Sequence, residues 1–319
     1  MGKGIAFAGS VIHDRIYNIS EYPESGSLTR ISSISESVGG LVPNCAIDMK
    51  KLRKSTPVYA LGRVGEDASA DFCLGTMESA GVNTSMICRS PDSVTGFTNV
   101  MSIVGGQRTF FTHSGANDEF SYGDIPWDSL SVDMLHLGYF LLLERIDRGD
   151  GKKILMEAKA RGISTSIDLV SESAEKYRGV LPCLPYVDNI IINELEAGAL
   201  TDIEPTEENL PEVAKKLLSL GVRERVIIHS PTLGVVARGD NVTTLPSYKL
   251  PRDFIVGTAG AGDAFCTGAL LAIYEGRRDS EILEFATLAA TSSLRAAGAT
   301  ESVEDIELLR AQFASFARR

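Results

Sequence analysis

The chain has 319 residues, 44% of them hydrophobic and 23% charged, which suits one large α/β domain with an appendage. Its net charge of −11, with the basic residues scattered, excludes the electrostatic footprint of a nucleic-acid binder. No apolar run approaches the ~20 residues of a membrane helix. Five cysteines, at 45, 73, 88, 183 and 266, form no CxxC pair, so neither a disulfide framework nor a zinc finger is expected, and free thiols in a reducing cytoplasm are.

In chain order, GIAFAG (4–9) reads as a buried first strand; as a secretory h-region it is poor, because Gly9 breaks it and His13-Asp14 closes it. Residues 44–54 read as a helix, with Ala46, Met49 and Leu52 at helical spacing. A strand follows at 57–65 and a helix at 68–81, ended by a glycine. The alternation continues with strand 134–138, helix 151–162, strand 163–168, strand 187–192, helix 208–221 and strand 225–229. Helices are expected at 263–276, 279–296 and 303–317. Strands alternating with such helices predict a parallel sheet covered on both faces.

Two stretches break the rhythm. Residues 14–35 hold no convincing helix, and 95–113 hold two β-rich runs joined through Gly105-Gly106, a hairpin pattern. They are expected to pair into a small separate sheet forming a lid. The lid is placed at 12–35 and 95–117, and the core at 1–11, 36–94 and 118–319. A lid over the C-terminal edge of a parallel sheet makes a cleft where open α/β sheets bind ligands.

The stretch GTAGAGDAF, 257–265, follows a short apolar run and opens an apolar segment. It can be read as a tight turn before a buried helix. A dinucleotide fingerprint is disfavoured, since its third glycine would fall on Phe265 and the loop lies far from the first βα unit. No Walker A loop occurs. A third reading uses every residue. Gly260, Ala261 and Gly262 present backbone N–H groups, and a helix N-terminus adds partial positive charge, which together make an anion hole. Asp263, held ionised by the helix dipole, is then placed to accept a proton from an attacking hydroxyl.

That stretch resembles the C-terminal signature D-T-x-G-A-G-D-x-F of the ribokinase, or PfkB, family of carbohydrate kinases, departing only at Gly257. A second family signature, a Gly-Gly with an Asn four residues on, is matched by Gly39-Gly40 and Asn44; read alone, it is equally a glycine turn with Asn44 as helix N-cap. The resemblance covers nearly the whole chain. It implies a ribokinase-like three-layer α/β/α fold with a mostly parallel central sheet and a small β-sheet lid. It also implies ATP-dependent phosphorylation of a hydroxyl of a sugar or sugar acid, with Asp263 as general base and 260–262 as the anion hole.

The same resemblance assigns Asp14, Gly39, Gly40, Asn44 and Asn117 to the substrate. To the nucleotide it assigns Asn193, Glu196, Thr232, Gly234 and Thr258, with Glu196 acting on Mg²⁺ through water. Asn193 and Glu196 also form a capping-box pattern. The lid aromatics Phe97, Phe110 and Phe111 either shield a sugar or pack the hairpin. Departures are also visible. Ribokinases proper carry a lysine where Leu41 stands and a glutamate where Gly138 stands, which argues against ribose. Gly257 replaces an aspartate that supports a monovalent cation, although Gly298 and Ser302 still match that ion loop, so potassium is left open. His229 and Pro231 depart from the nucleotide-side pattern. A nucleoside kinase of the same family, a nucleotide-binding oxidoreductase and a non-catalytic sugar sensor stand as alternatives. No nucleic-acid or membrane partner is expected, and the lid edge offers a surface for a homodimer.

Overall fold

A computed structural model describes residues 2–103, 108–170, 177–251 and 253–319. The main sheet has nine strands: β1 (Ile5–Ala8), β4 (Val58–Gly65), β5 (Asn83–Ser90), β8 (Met134–Phe140), β9 (Ser164–Leu169), β10 (Asn189–Asn193), β11 (Arg225–His229), β12 (Leu233–Arg238) and β13 (Asn241–Pro246). They lie in the order β13-β12-β11-β10-β9-β8-β1-β4-β5. Every pairing from β5 to β11 is parallel, and β12 and β13 extend that edge antiparallel.

Burial explains why the inner strands are continuously apolar. In β1 all four residues are fully buried, with Ile5 and Phe7 entering one core and Ala6 and Ala8 the other. Strand β11 divides in the same way, Ile227 to the first core and Val226 and Ile228 to the second. The two-residue period of a strand thus feeds two helical layers at once. The first core takes α1 (Leu41–Leu52), α6 (Ala261–Tyr274), α7 (Asp279–Ser293) and α8 (Ile306–Phe313). The second takes α3 (Gly151–Ala160), α4 (Glu194–Thr201) and α5 (Leu210–Ser219). A further helix, α2 (Ala68–Ser79), packs on β5 and on the second sheet.

That second sheet has four strands, β2 (Ile12–Ile19), β3 (Ile31–Gly39), β6 (Gly96–Ile103) and β7 (Arg108–His113), in the order β3-β2-β6-β7. The two β-rich pieces pair as expected, β2 alongside β6 in parallel from Ile12 opposite Gly96 to Ile19 opposite Ile103, with the outer pairings antiparallel. Strand β3 runs to Gly39, past the expected lid edge at 35. The Gly105-Gly106 turn lies outside the described residues.

Several boundaries differ from the sequence reading. Helix α1 starts at Leu41 rather than 44, because Gly40, at φ 82°, turns the chain in directly; Asn44 therefore lies inside the first turn and is not its N-cap. Helix α6 starts at Ala261 behind Gly260 at φ 73°, which puts Asp263 in its first turn. At Gly260 a Cβ would lie 2.5 Å from that of Ala299, so sterics and backbone both demand glycine there. Helices α7 and α8 are shorter than expected, with turns over 294–305 between them. Strands β5, β12 and β13 and helix α4 carried no expectation. Among the described residues no helix is long and apolar enough to cross a membrane.

Asn117 joins the two sheets. Its Oδ1 accepts from the Val11 N–H (2.8 Å), and its Nδ2 donates to the carbonyls of Val11 (3.0 Å) and Ser114 (2.9 Å). Val11 is where the chain leaves β1 for the second sheet, and Ser114 is where it returns. Both hydrogens and the oxygen of the amide are engaged at this hinge. Asn117→Ala strands two buried backbone groups at Val11 and is expected to cost about 2 kcal/mol; urea unfolding of the variant measures it.

Candidate active site

The chain reverses direction across the sheet between β1 and β8, since β4 and β5 lie to one side of β1 and β8 to β11 to the other. Open α/β sheets form their ligand crevice at such a point, beyond the C-terminal strand ends. A cavity lies there. Its floor comes from the ends of β8 (Tyr139), β9 (Asp168), β10 (Asn193) and β11 (His229), and its wall from Thr258 and Gly260 to Asp263 at the start of α6.

The first turn of α6 has no side-chain cap. The Ala261 N–H is turned back to the Thr258 carbonyl (3.3 Å), and the Ala264 N–H donates to the Gly260 carbonyl (2.8 Å). Of the amides expected to form an anion hole, that of Ala261 is thereby engaged, while those of Gly262 and Asp263 belong to the helix's first turn, which borders the cavity. Open space surrounds Gly262, where an added Cβ would meet only His229, at 4.0 Å.

Asp263 is 6% exposed. Asn44 Nδ2 donates to its Oδ2 (2.7 Å), and the Tyr139 hydroxyl lies 3.1 Å from Oδ1 and 3.0 Å from Oδ2. Burial, reinforced by the nearby Asp168 charge, raises the Asp263 carboxyl to about 7, against the lowering effect of these two hydrogen bonds and of His136. The expectation that it stays ionised by virtue of the helix N-terminus is corrected: burial dominates its surroundings. A carboxylate titrating near neutrality suits proton transfer at ordinary pH.

Sequence reasoning misses Tyr139, which follows Gly138 directly in LHLGYF. Its φ of 55° is rare for a non-glycine residue and sits where β8 ends at the cavity. Burial raises its phenol well above its ordinary value, so it remains a donor.

The remaining expected residues divide into those brought to the crevice and those kept away. Asn44 is 5% exposed, and its Oδ1 has no partner among the described residues, leaving a buried acceptor beside Asp263. Asp14 stands in β2 opposite Ser37 and leans across Gly39, where a Cβ would lie 2.2 Å from its Oδ2. Gly39 is thus glycine to make room for Asp14. Burial raises the Asp14 carboxyl to about 6, against a hydrogen bond from Thr98. Near Gly40, the amides of Leu41 and Val42 are taken by the Ser10 hydroxyl (3.2 Å) and carbonyl (3.1 Å). His13 is buried, stacked on Phe72, and serves packing.

Asn193 and Glu196 border the cavity and form a reciprocal capping box, at 2.8 and 3.1 Å. Thr232 and Gly234 do not border it. The Thr232 hydroxyl donates to Glu207 (3.0 Å), and Gly234 is buried in β12 under Leu283. Instead His229, noted in the sequence only as a departure, lines the cavity. Burial lowers it to about 4, so it is neutral at pH 7. Phe110 and Phe111 are exposed along β7. Leu41 and Gly138 prove to be one structural feature: Leu41 is fully buried, and a Cβ on Gly138 would lie 2.2 Å from its Cδ1.

The sequence profile described as pfkB family carbohydrate kinase matches residues 3–306. The chain belongs to this family. It is a ribokinase-like kinase, a phosphotransferase with an alcohol group as acceptor. The ribokinase of Arabidopsis thaliana is 26% identical over 305 residues, covering 94% of this chain and 78% of that one. The adenosine kinase of Schizosaccharomyces pombe is 27% identical over 269 residues, covering 76% and 75%. Among solved structures, the Thermotoga maritima ribokinase superposes with a TM-score of 0.81 at 23% identity, covering 98% of this chain and 99% of that one.

Two ions implied by the family can be tested against this PfkB chain's residues. Magnesium fits. The described lining of the cavity offers carboxylates of Asp168, Glu196 and Asp263 and no lysine or arginine, so a polyphosphate needs a hard cation to enter. Potassium at the loop of Gly298 and Ser302 does not fit. Gly257 brings no carboxylate. The Arg295 guanidinium already donates to the Ser302 carbonyl (2.9 Å) and the Ser292 hydroxyl (2.8 Å) and pairs with Glu304 (2.8 Å), while the Ser302 hydroxyl donates to the Ser292 carbonyl (2.7 Å).

Tyr139→Phe removes a hydrogen bond that favours the ionised form of Asp263. The proton affinity of the Asp263 carboxyl then rises, and the acid limb of kcat/KM against pH is expected to shift to higher pH. The expected loss is about tenfold at pH 6.5, largely recovered by pH 8.5, for a shift of about one unit; pH-rate profiles of the two proteins check it.

Proposed function

We propose that this kinase transfers the γ-phosphoryl group of ATP to a hydroxyl of a small carbohydrate, a sugar or sugar acid, with Asp263 as general base. The observation that carries the reading is a buried carboxylate, held by Asn44 and Tyr139, in the first turn of a helix whose uncapped amides face the same cavity. Asn44 Oδ1 and the Asp14 carboxylate accept hydrogen bonds from the acceptor's hydroxyls and orient one of them toward Asp263. As phosphate leaves its nucleotide, charge develops on its oxygens, and the amides of Gly262 and Asp263, with the α6 dipole behind them, stabilise it. Asp263 takes the hydroxyl proton on an oxygen already facing the acceptor.

Glu196, through water, and Asn193 are the residues to hold Mg²⁺, which when bound neutralises charge on the phosphates. Thr258 borders the cavity on the nucleotide side. Leu41, fully buried against Gly138, leaves neither position with a polar group to offer a sugar, which supports an acceptor other than ribose. Lid closure over the acceptor excludes water. The second sheet leaves Ile31, Ile34, Phe110 and Phe111 exposed, which supports pairing with a second copy.

A nucleoside acceptor is the second reading, favoured by the adenosine kinase among the relatives. A mass-spectrometric screen with ATP, Mg²⁺ and a panel of sugars, sugar acids, polyols and nucleosides separates the two. One carbohydrate is expected to gain a phosphoryl group, and Asp263→Asn is expected to lose that product by several orders of magnitude while keeping its circular dichroism. A nucleoside as sole product replaces the acceptor, and normal turnover by Asp263→Asn ends the mechanism. Because Arg295 occupies the ion loop, the rate in the same assay is expected to change less than about twofold when potassium is replaced by tetramethylammonium.

A further inference from the structure

Cys266 lies one turn along α6 from Asp263 and borders the same cavity. Behind it stands His136 of β8, fully buried, and beside them Asp168 near the end of β9. The His136 Nε2 is 3.6 Å from Cys266 Sγ and 3.5 Å from Asp168 Oδ2, and one donor atom from each residue lies within 4.8 Å of the others. In tetrahedral zinc sites, Zn–N is ~2.0–2.1 Å, Zn–S ~2.3 Å and Zn–O ~2.0–2.2 Å, which sets nitrogen about 3.5 Å from sulfur and about 3.4 Å from oxygen. The imidazole therefore already stands at tetrahedral-edge distances from both partners.

The surroundings are those of a ligand set. Metal-binding imidazoles are oriented by a hydrogen bond to the other ring nitrogen, and ligating carboxylates are themselves hydrogen-bonded. Here His136 Nδ1 is 2.9 Å from the Ser166 hydroxyl, and Asp168 Oδ1 accepts from the Tyr139 N–H (2.6 Å). The ligands rise from two adjacent strands and a packed helix, so their positions are fixed by the core and not by loops. Phosphoryl transfer as described above uses neither His136 nor Cys266.

We propose that His136, Asp168 and Cys266 form a Zn²⁺ site with three protein ligands and a fourth position open to the cavity. A thiolate and an imidazole select zinc over magnesium, which prefers oxygen alone. The thiol proton passes to solvent as the sulfur–zinc bond forms. The open position faces the space that phosphates are proposed to enter, so a bound ion makes this cavity sensitive to zinc. The binding itself does not depend on the proposed reaction.

Cobalt(II) is the probe, added to the metal-stripped full-length chain. The wild type is expected to bind one equivalent with a thiolate-to-cobalt charge-transfer band that Zn²⁺ abolishes. Cys266→Ser is expected to lose the band and bind Zn²⁺ at least about 100-fold more weakly. Cys183→Ser, buried in the other core, is expected to keep both. In the wild type, Zn²⁺ is also expected to block alkylation of Cys266, read by peptide mass spectrometry, so the test does not rest on a variant that folds. A wild type without the charge-transfer band, a band that persists in Cys266→Ser, or Cys266 alkylated equally with and without Zn²⁺ overturns the proposal.

Discussion

The hydrogen bond from Asn44 to Asp263 spans 219 residues of sequence, and much of the structure serves it. A carboxylate 6% exposed in a cavity wall is costly unless donors reach it. The donors must come from another helix and another strand, since the residue's own turn faces the cavity. This requires α1 and α6 to pack side by side, and both begin immediately after a glycine with positive φ. The positive-φ glycine lets each helix start at once, so that its first turn, and not a preceding loop, meets the crevice.

The same burial sets the chemistry. A dipole-stabilised surface aspartate would be ionised far below neutrality and would be a weak base. Desolvation and the neighbouring Asp168 move Asp263 to about 7, while Asn44 and Tyr139 keep the shift from running further. The cavity combines this carboxylate with Asp168 and Glu196 and with amides at a helix end. Anionic side chains and anion-seeking amides in one space make sense together when a cation travels with the anion.

The fold was largely legible because its strands are buried on both faces, which writes them as short apolar runs between amphipathic helices. The lid was legible for the opposite reason, as β-rich sequence that breaks the alternation. Exact helix starts were not, because Gly40 and Gly260 act as caps without a side chain and leave no polar cap residue to read. In the site, Asp263 and Asn44 lay in recognisable glycine contexts. Tyr139 and His229 did not, since their placement comes from strand order: β8 and β11 end at one crevice although 90 residues of chain separate Tyr139 from His229. Asn117 is singled out in the sequence by the family resemblance of its segment, and its place at the hinge is not legible there, because sequence cannot tell an amide that binds a ligand from one that binds its own backbone.

The departures from the family pattern become intelligible as pairs of neighbours. Leu41 and Gly138 fit only together, since any side chain at 138 would meet the Leu41 methyls and also Asp168 Oδ1, 2.7 Å from an added Cβ. Losing a large polar residue at one position is what allows an apolar one to be buried at the other. At the ion loop the exchange is of charge. Gly257 removes an anion, and the Arg295 guanidinium, balanced by Glu304, occupies oxygens of Ser292 and Ser302 that would otherwise seek a cation. A fixed cation needs no dissociable partner, and the turns that pack against Gly257 and Gly260 are held by the chain itself. Both changes leave the Asn44–Asp263–Tyr139 arrangement intact, because neither the Leu41–Gly138 contact nor the Arg295 network supplies a hydrogen bond to it.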